Sequence, residues 1–205
     1  MTRINVLLEG AADIPTVREI LVRRFGLVEG ADFRLFPHQG KGRLPSDLVS
    51  APPINRRGLL DQLPAKLKGL SHLDCVIVLV DADEQSCVNL LSELKAMLER
   101  LPKRPAQVLF RIAIEEVESW LIADHAAVAS AYPKVKISRL KKLQPDAIVG
   151  AWEQLAAALG IAERDVTGST KFQWGERIAP HLDLKQPPSP SLRKFVEGVA
   201  RLTAA

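Results

Sequence analysis

Cysteine is scarce in this chain of 205 residues: Cys75 lies inside an apolar run, Cys87 opens a helical pattern, and no second pair of ligands stands at metal-ligand spacing. Both read as reduced core thiols, which argues against a thiolate zinc site or a disulfide-stapled scaffold. Aromatic residues are also few, with one Tyr, six Phe and three Trp. A dedicated stacking platform for single-stranded nucleic acid is therefore not expected. Long hydrophobic runs are missing, since nothing approaches the roughly 20 residues of a membrane span, and the opening "MTRINVLLEGAAD" is too short in apolar residues for a signal peptide. A cytoplasmic protein without a membrane partner is the expectation. No internal repeat or long low-complexity tract is visible.

What remains is an ordinary globular composition, 47% hydrophobic and 25% charged, long enough for one good-sized core with an appendage. The net charge of +4 favours an anionic partner. Acidic residues gather in "LLEGAAD", "DADE" and "EEVESWLIAD"; basic ones gather in "HQGKGR", "INRR", "KLKG", "PKRP" and "KVKISRLKK". Each basic run alone reads as a solvated face, but together they describe an acidic centre with a basic surround.

Residues 3 to 9, "RINVLLE", read as a short strand, and "DIPTVREILVRRFGLV" carries apolar residues at helical spacing with Pro15 in its first turn. The chain from about 32 to 57 is rich in Gly and Pro, with one short strand at "FRLF". "RGLLDQLPAKLKGL" predicts a helix bent or split by Pro64. "CVIVLV" predicts a strand buried on both faces, followed by an amphipathic helix from Cys87 to Leu101. "AQVLFRIAIEE" predicts a further strand leading into a helix "VESWLIADHAAVASA". Alternating strands and helices imply an α/β domain over residues 1–130, a mainly parallel sheet flanked by helices. Residues 131–205 hold four helical patterns, "SRLKKL", "PDAIVGAWEQLAAALG", "TKFQWGERIAPHL" and "SPSLRKFVEGVARL", and read as a helical extension packed on the sheet.

In a parallel sheet the strands end on one side, where ligands bind. Glu9, Asp81 with Asp83, and Glu115 or Glu116 stand at three such ends. The D-x-D pair reads either as caps of a helix starting near Gln85 or as ligands of one cation. Like charges that close need raised pKa values or a cation, and oxygen donors alone favour Mg²⁺ or Mn²⁺. Acidic residues at distant strand ends favour the metal. Lys41, flanked by glycines, reads as a phosphate contact or as part of a flexible surface loop, and Lys171 as a phosphate contact or a solvated side chain. His38 is given no proton-transfer role.

"LLEGAAD" resembles the E-G-x-x-D element after the first strand of Toprim domains, and "VLVDADE" resembles their strand followed by D-x-D. "EEVESWLIAD", the Gly-Lys-Gly at 40 to 42 and the Ser-Pro-Ser at 189 to 191 are similar to stretches of a Toprim-like family related to the overcoming-lysogenization-defect nucleases, commonly encoded beside ABC-type ATPases at defence or mobile-element loci. The resemblance implies a Toprim or Rossmann-like fold. It implies Glu9 as acid/base or metal ligand, Asp81 and Asp83 as Mg²⁺ ligands, and Glu116 and Glu118 as ligands or supports of a second ion. Asp13, where that family often has Glu, is a ligand or only a helix cap; Glu115 reads as solvated and Asp124 as facing either way.

The expected activity is a Mg²⁺- or Mn²⁺-dependent phosphodiesterase, a nuclease with two ions acting on DNA or RNA, with an ABC-type ATPase as the candidate partner that the resemblance implies. Two other readings stand beside it. One is a D-x-D phosphatase, although Gln85 departs from the dehalogenase-type pattern, and the other is a non-catalytic module that works with the ATPase.

Overall fold

The computed structural model describes residues 3–50, 52–72, 75–147 and 149–204. Four strands, β1 (Ile4–Leu8), β2 (Phe33–Pro37), β3 (Cys75–Asp81) and β4 (Gln107–Ala113), pair in parallel in the order β2-β1-β3-β4. The chain thus builds outward from β1 to β2 on one side and from β3 to β4 on the other. This reversal puts the topological switch point between β1 and β3, where parallel sheets open a crevice beyond their carboxyl ends.

The helices, among the described residues, are α1 (Ile14–Phe25), α2 (Leu59–Gly69), α3 (Cys87–Glu99), α4 (Glu118–Ala123), α5 (His125–Ala131), α6 (Ile137–Leu140), α7 (Ala151–Leu159), α8 (Gly168–Ile178) and α9 (Pro190–Thr203). Strand alternation sorts the core into two layers. Val76, Val78 and Val80 of β3 meet Leu59, Leu63 and Leu67 of α2 and Leu90 and Leu94 of α3. Ile77 and Leu79, with Val6 and Leu8 of β1, meet the other helices, including the fully buried Trp120, Trp174 and Phe195. β3 is therefore covered on both faces, as its unbroken apolar run requires. Burying one such side chain contributes about 1.5–3 kcal/mol. The helices after residue 131 share this core with β1 and β3, so they complete the sheet's second layer.

Several element ends differ from the sequence pattern. α1 stops at Phe25 because Gly26 takes a left-handed conformation at φ 67°, a turn that glycine enters without steric cost. Pro64 lies inside α2 without splitting it. The single helix expected over 117–131 is divided at Asp124, whose carboxylate turns to accept the amide of Ala127 and starts α5. β4 ends at Ala113 rather than running on to the glutamates, because Ser119 Oγ donates to the carbonyls of Ile114 and Glu116 and curls that segment. α7 begins only at Ala151, after a left-handed Gly150; Ile148 of that expected helix lies outside the described residues.

α9 packs against β4. Arg111 of β4 donates from Nε to the carbonyl of Lys194 at 2.7 Å and from Nη1 to its neighbour Phe110 at 2.7 Å. Its guanidinium lies directly over Gly198, where a Cβ would come within 2.2 Å of Nη2.

Candidate metal centre

Three turns at the carboxyl ends of the sheet are locked to one another by backbone hydrogen bonds. The amide of Ala82 donates to the carbonyl of Ala113, and that of Asp83 to Glu115, so the turn after β3 lies along the turn after β4. Across the switch point, Glu9 Oε1 accepts the amide of Asp81 at 2.8 Å. Asp13 Oδ2 folds back on the amide of Gly10 at 3.1 Å. It is therefore not the side-chain cap of α1.

Through these turns Glu9, Asp13, Asp81, Glu116 and Glu118 come together. Asp13 and Glu118 are buried, while Asp81 keeps some exposed surface although protein crowds it closely. The carboxyl of Asp81 is held well above the usual carboxylate range, by burial first and then by the charges of Asp13, Glu9, Glu118 and Glu116. Burial likewise lifts Glu9 to about 8, against the opposing hydrogen bond from Asp81. Asp13 rises to about 6 and Glu116 to about 7, again chiefly through burial. Burial raises Glu118 too, against the pull of Lys171.

The ammonium groups expected at the site are both present and both engaged. Lys171, from α8, lies 3.3 Å from Glu116 Oε1, 3.4 Å from Glu118 Oε1 and 5.3 Å from the centre of the Trp152 ring. Burial pulls its pKa down, but Glu118 and Glu116 outweigh that and raise it. Lys41 donates at 3.0 Å to both Asp83 and the carbonyl of Ala82. Its loop is fastened at both ends, Gly40 donating to the carbonyl of Glu9 while the carbonyls of Gly40 and Lys41 accept from Leu59 and Leu60 at the start of α2. The flexible-loop reading of Gly-Lys-Gly is thereby replaced by a fixed bracket. Gly42 at φ 68° and Gly58 make it possible, since a Cβ on Gly58 would lie 2.5 Å from the Cα of Gly42.

Asp83 stands apart. It adopts φ 48°, is half exposed and faces Lys41 rather than the buried carboxylates. Neither aspartate caps the next helix: Ser86 does, through Oγ and the amide of Asn89. Glu115, expected in solvent, instead accepts the amides of Gly150 and Ala151 and starts α7. Asp124 also accepts the amide of Asp183 and faces away from the carboxylate cluster's contacts. The Ser-Pro-Ser segment is a clamp: Ser189 Oγ donates to Asp146 at 2.7 Å, Ser191 Oγ does so at 3.0 Å, and Trp120 Nε1 donates to Ser191 at 2.8 Å. Asp146 carried no periodic signal, because its partners lie more than forty residues away. His38 uses Nδ1 on the carbonyl of Leu8 at 3.0 Å.

Among the described residues no three His, Cys, Asp or Glu side chains are already drawn into a chelating arrangement. The donor set nevertheless fits a hard divalent cation. It is all carboxylate oxygen, Glu116 Oε2 is buried without a hydrogen-bond partner, and among the described residues Lys171 alone is ion-paired with these five acids.

Fold and site together define a parallel α/β protein with an acidic centre at its switch point. Residues 34–200 match the model of the domain of unknown function DUF4276, and the chain belongs to that family. No curated protein and no solved structure matches it.

Proposed function

We propose that the chain is a Mg²⁺- or Mn²⁺-dependent phosphodiesterase that cuts nucleic acid at this centre. One observation carries the reading: Glu9, Asp13, Asp81, Glu116 and Glu118, from three separate strand ends, meet where burial opposes their charge, and a divalent cation is what such a group lacks. The resemblance of "LLEGAAD" and "VLVDADE" to Toprim motifs agrees with it. Glu9 and Asp81 would hold one ion, joined by Asp83 once its pairing with Lys41 is released, and Glu116 and Glu118, with Asp13 beside them, would hold a second. Bound ions would activate water and hold the phosphate being cut. Lys171 and Lys41 are placed to leave their carboxylates for a phosphate once cations take over the neutralisation.

A second reading, a non-catalytic module paired with an ABC-type ATPase, is favoured by those same ion pairs, since they already neutralise part of the centre. Cleavage of single- and double-stranded DNA and RNA with Mg²⁺ or Mn²⁺, beside Asp81→Asn protein, decides between them. Metal-dependent cutting that the variant loses supports the nuclease. Cutting by neither, with metal binding intact by calorimetry, supports the module.

A further inference from the structure

Beside the Gly40–Gly42 bracket lies a pocket of about 480 Å³ lined by Arg43, Arg56 and Arg57 with Asn55, Gly42 and Asp61. All three arginines are exposed, and among the described residues none makes an ion pair. Arg57 Nε donates to the carbonyl of Ile54 at 3.3 Å. Asp61 is the one acid in that lining and is turned toward Gly42 and the amide of Arg43, so the lining carries three arginines and one carboxylate. The amides of Leu59 and Leu60 that open α2 are already given to the carbonyls of Gly40 and Lys41, which leaves the arginine side chains as the charged donors of the lining.

The pocket is mechanically continuous with the acidic centre. Arg57 accepts the amide of Gln39, and the next residue, Gly40, donates to the carbonyl of Glu9. Lys41, following in turn, reaches Asp83. Two backbone hydrogen bonds therefore separate a cationic pocket from a catalytic candidate, with Lys41 between them. We infer that Arg43, Arg56 and Arg57 form a binding site for the phosphodiester backbone of a nucleic-acid strand, holding a phosphate that neighbours the one at the carboxylates. This rests on the phosphodiesterase reading for the identity of the strand. Arginine suits the task through its planar, bidentate donor geometry, and such contacts carry no base specificity.

The test is the binding of a short fluorescein-labelled DNA strand, and of an RNA of the same sequence, by anisotropy in Ca²⁺ over a range of salt, with cleavage followed separately in Mg²⁺. The Arg43→Gln/Arg56→Gln/Arg57→Gln protein is expected to bind roughly tenfold or more weakly, and its slope of log affinity against log salt to fall by about 2–3. The corresponding Lys triple should keep the slope, since charge is retained. Neutralising Arg100, Lys103 and Arg104, which precede β4 at the opposite end of the sheet, should alter neither. An unchanged affinity and slope in the folded Gln triple, or no binding of either strand by the unaltered protein, overturns the site. Arginine-dependent binding without any cutting removes the nuclease reading and leaves the site standing; cutting with arginine-independent binding does the reverse. The DNA and RNA arms separate the two strand chemistries.

Discussion

At the scale of single residues, the centre is built from acids that prefer to be neutral. Asp81→Asn keeps the neutral form that burial and the neighbouring Asp13, Glu9, Glu118 and Glu116 favour, but removes an anionic metal ligand. The expected result is a loss of metal-dependent cleavage by about 100-fold or more, together with an unchanged or higher melting temperature of the metal-free protein at pH 8. A substitution that only damaged the fold would lower both, so activity and calorimetric melting read side by side decide. Lys171→Met should do the opposite to stability. It strands Glu116 and Glu118 without their cation, and the loss should be larger at pH 8 than near pH 5.5, where those carboxyls can take up protons. Thermal melts at both pH values test this, and equal losses would count against it. Glu9, Asp81 and Glu116 were legible as candidates because strand ends in a parallel sheet share a side, whereas Glu118 was singled out only by the resemblance of "EEVESWLIAD". The work of Glu115 and Asp146 was not, because capping a helix start or clamping a turn leaves no period in a sequence.

Among elements, the brackets between turns matter more than the helices they join. Gly42→Ala places a Cβ within 2.3 Å of Asp61 Oδ2 at a positive φ, and Gly58→Ala drives one into the backbone of Gly42. Both should cost roughly 1–3 kcal/mol, Gly58→Ala the more, since Asp61 can swing aside and backbone cannot. Chemical denaturation measures the difference, and the reverse order would show that the left-handed φ dominates. Asp146→Ala unties both serines and the start of α9 at once, an expected loss of about 2–3 kcal/mol with faster proteolysis between α6 and α9. A variant as stable and as protease-resistant as the parent would sink the clamp. The strands and the helical faces of α1, α3 and α9 were readable because burial imposes their periods on the chain. Element ends were harder, since α4 parts from α5 at Asp124 through a local hydrogen bond that competes with helix continuation.

For the molecule as a whole, the raised carboxyls set the dependence of stability on pH. Glu9 near 8, Glu116 near 7 and Asp13 near 6 keep protons in the folded state that the unfolded chain has already released. Stability contributed there is full at pH values below the ordinary carboxylate range and drains away as pH climbs toward about 8. Without metal, the melting temperature should therefore fall by several degrees between about pH 6 and pH 8.5, at roughly 2–4 °C per kcal/mol. Mg²⁺ or Mn²⁺ at millimolar concentration should restore more at the upper end, because ligands must be deprotonated to bind. A flat profile, or equal rescue at both ends, would contradict a cluster that waits for a cation. The core itself joins both ends of the chain, Val6 and Leu8 of β1 lying in one layer with Phe195 and Val199 of α9. During translation the first strand must wait for the last helix before its inner face is covered, and Lys171 arrives late for the same reason. A chain that has not yet released α8 and α9 from the ribosome thus holds an open, unfinished acidic centre.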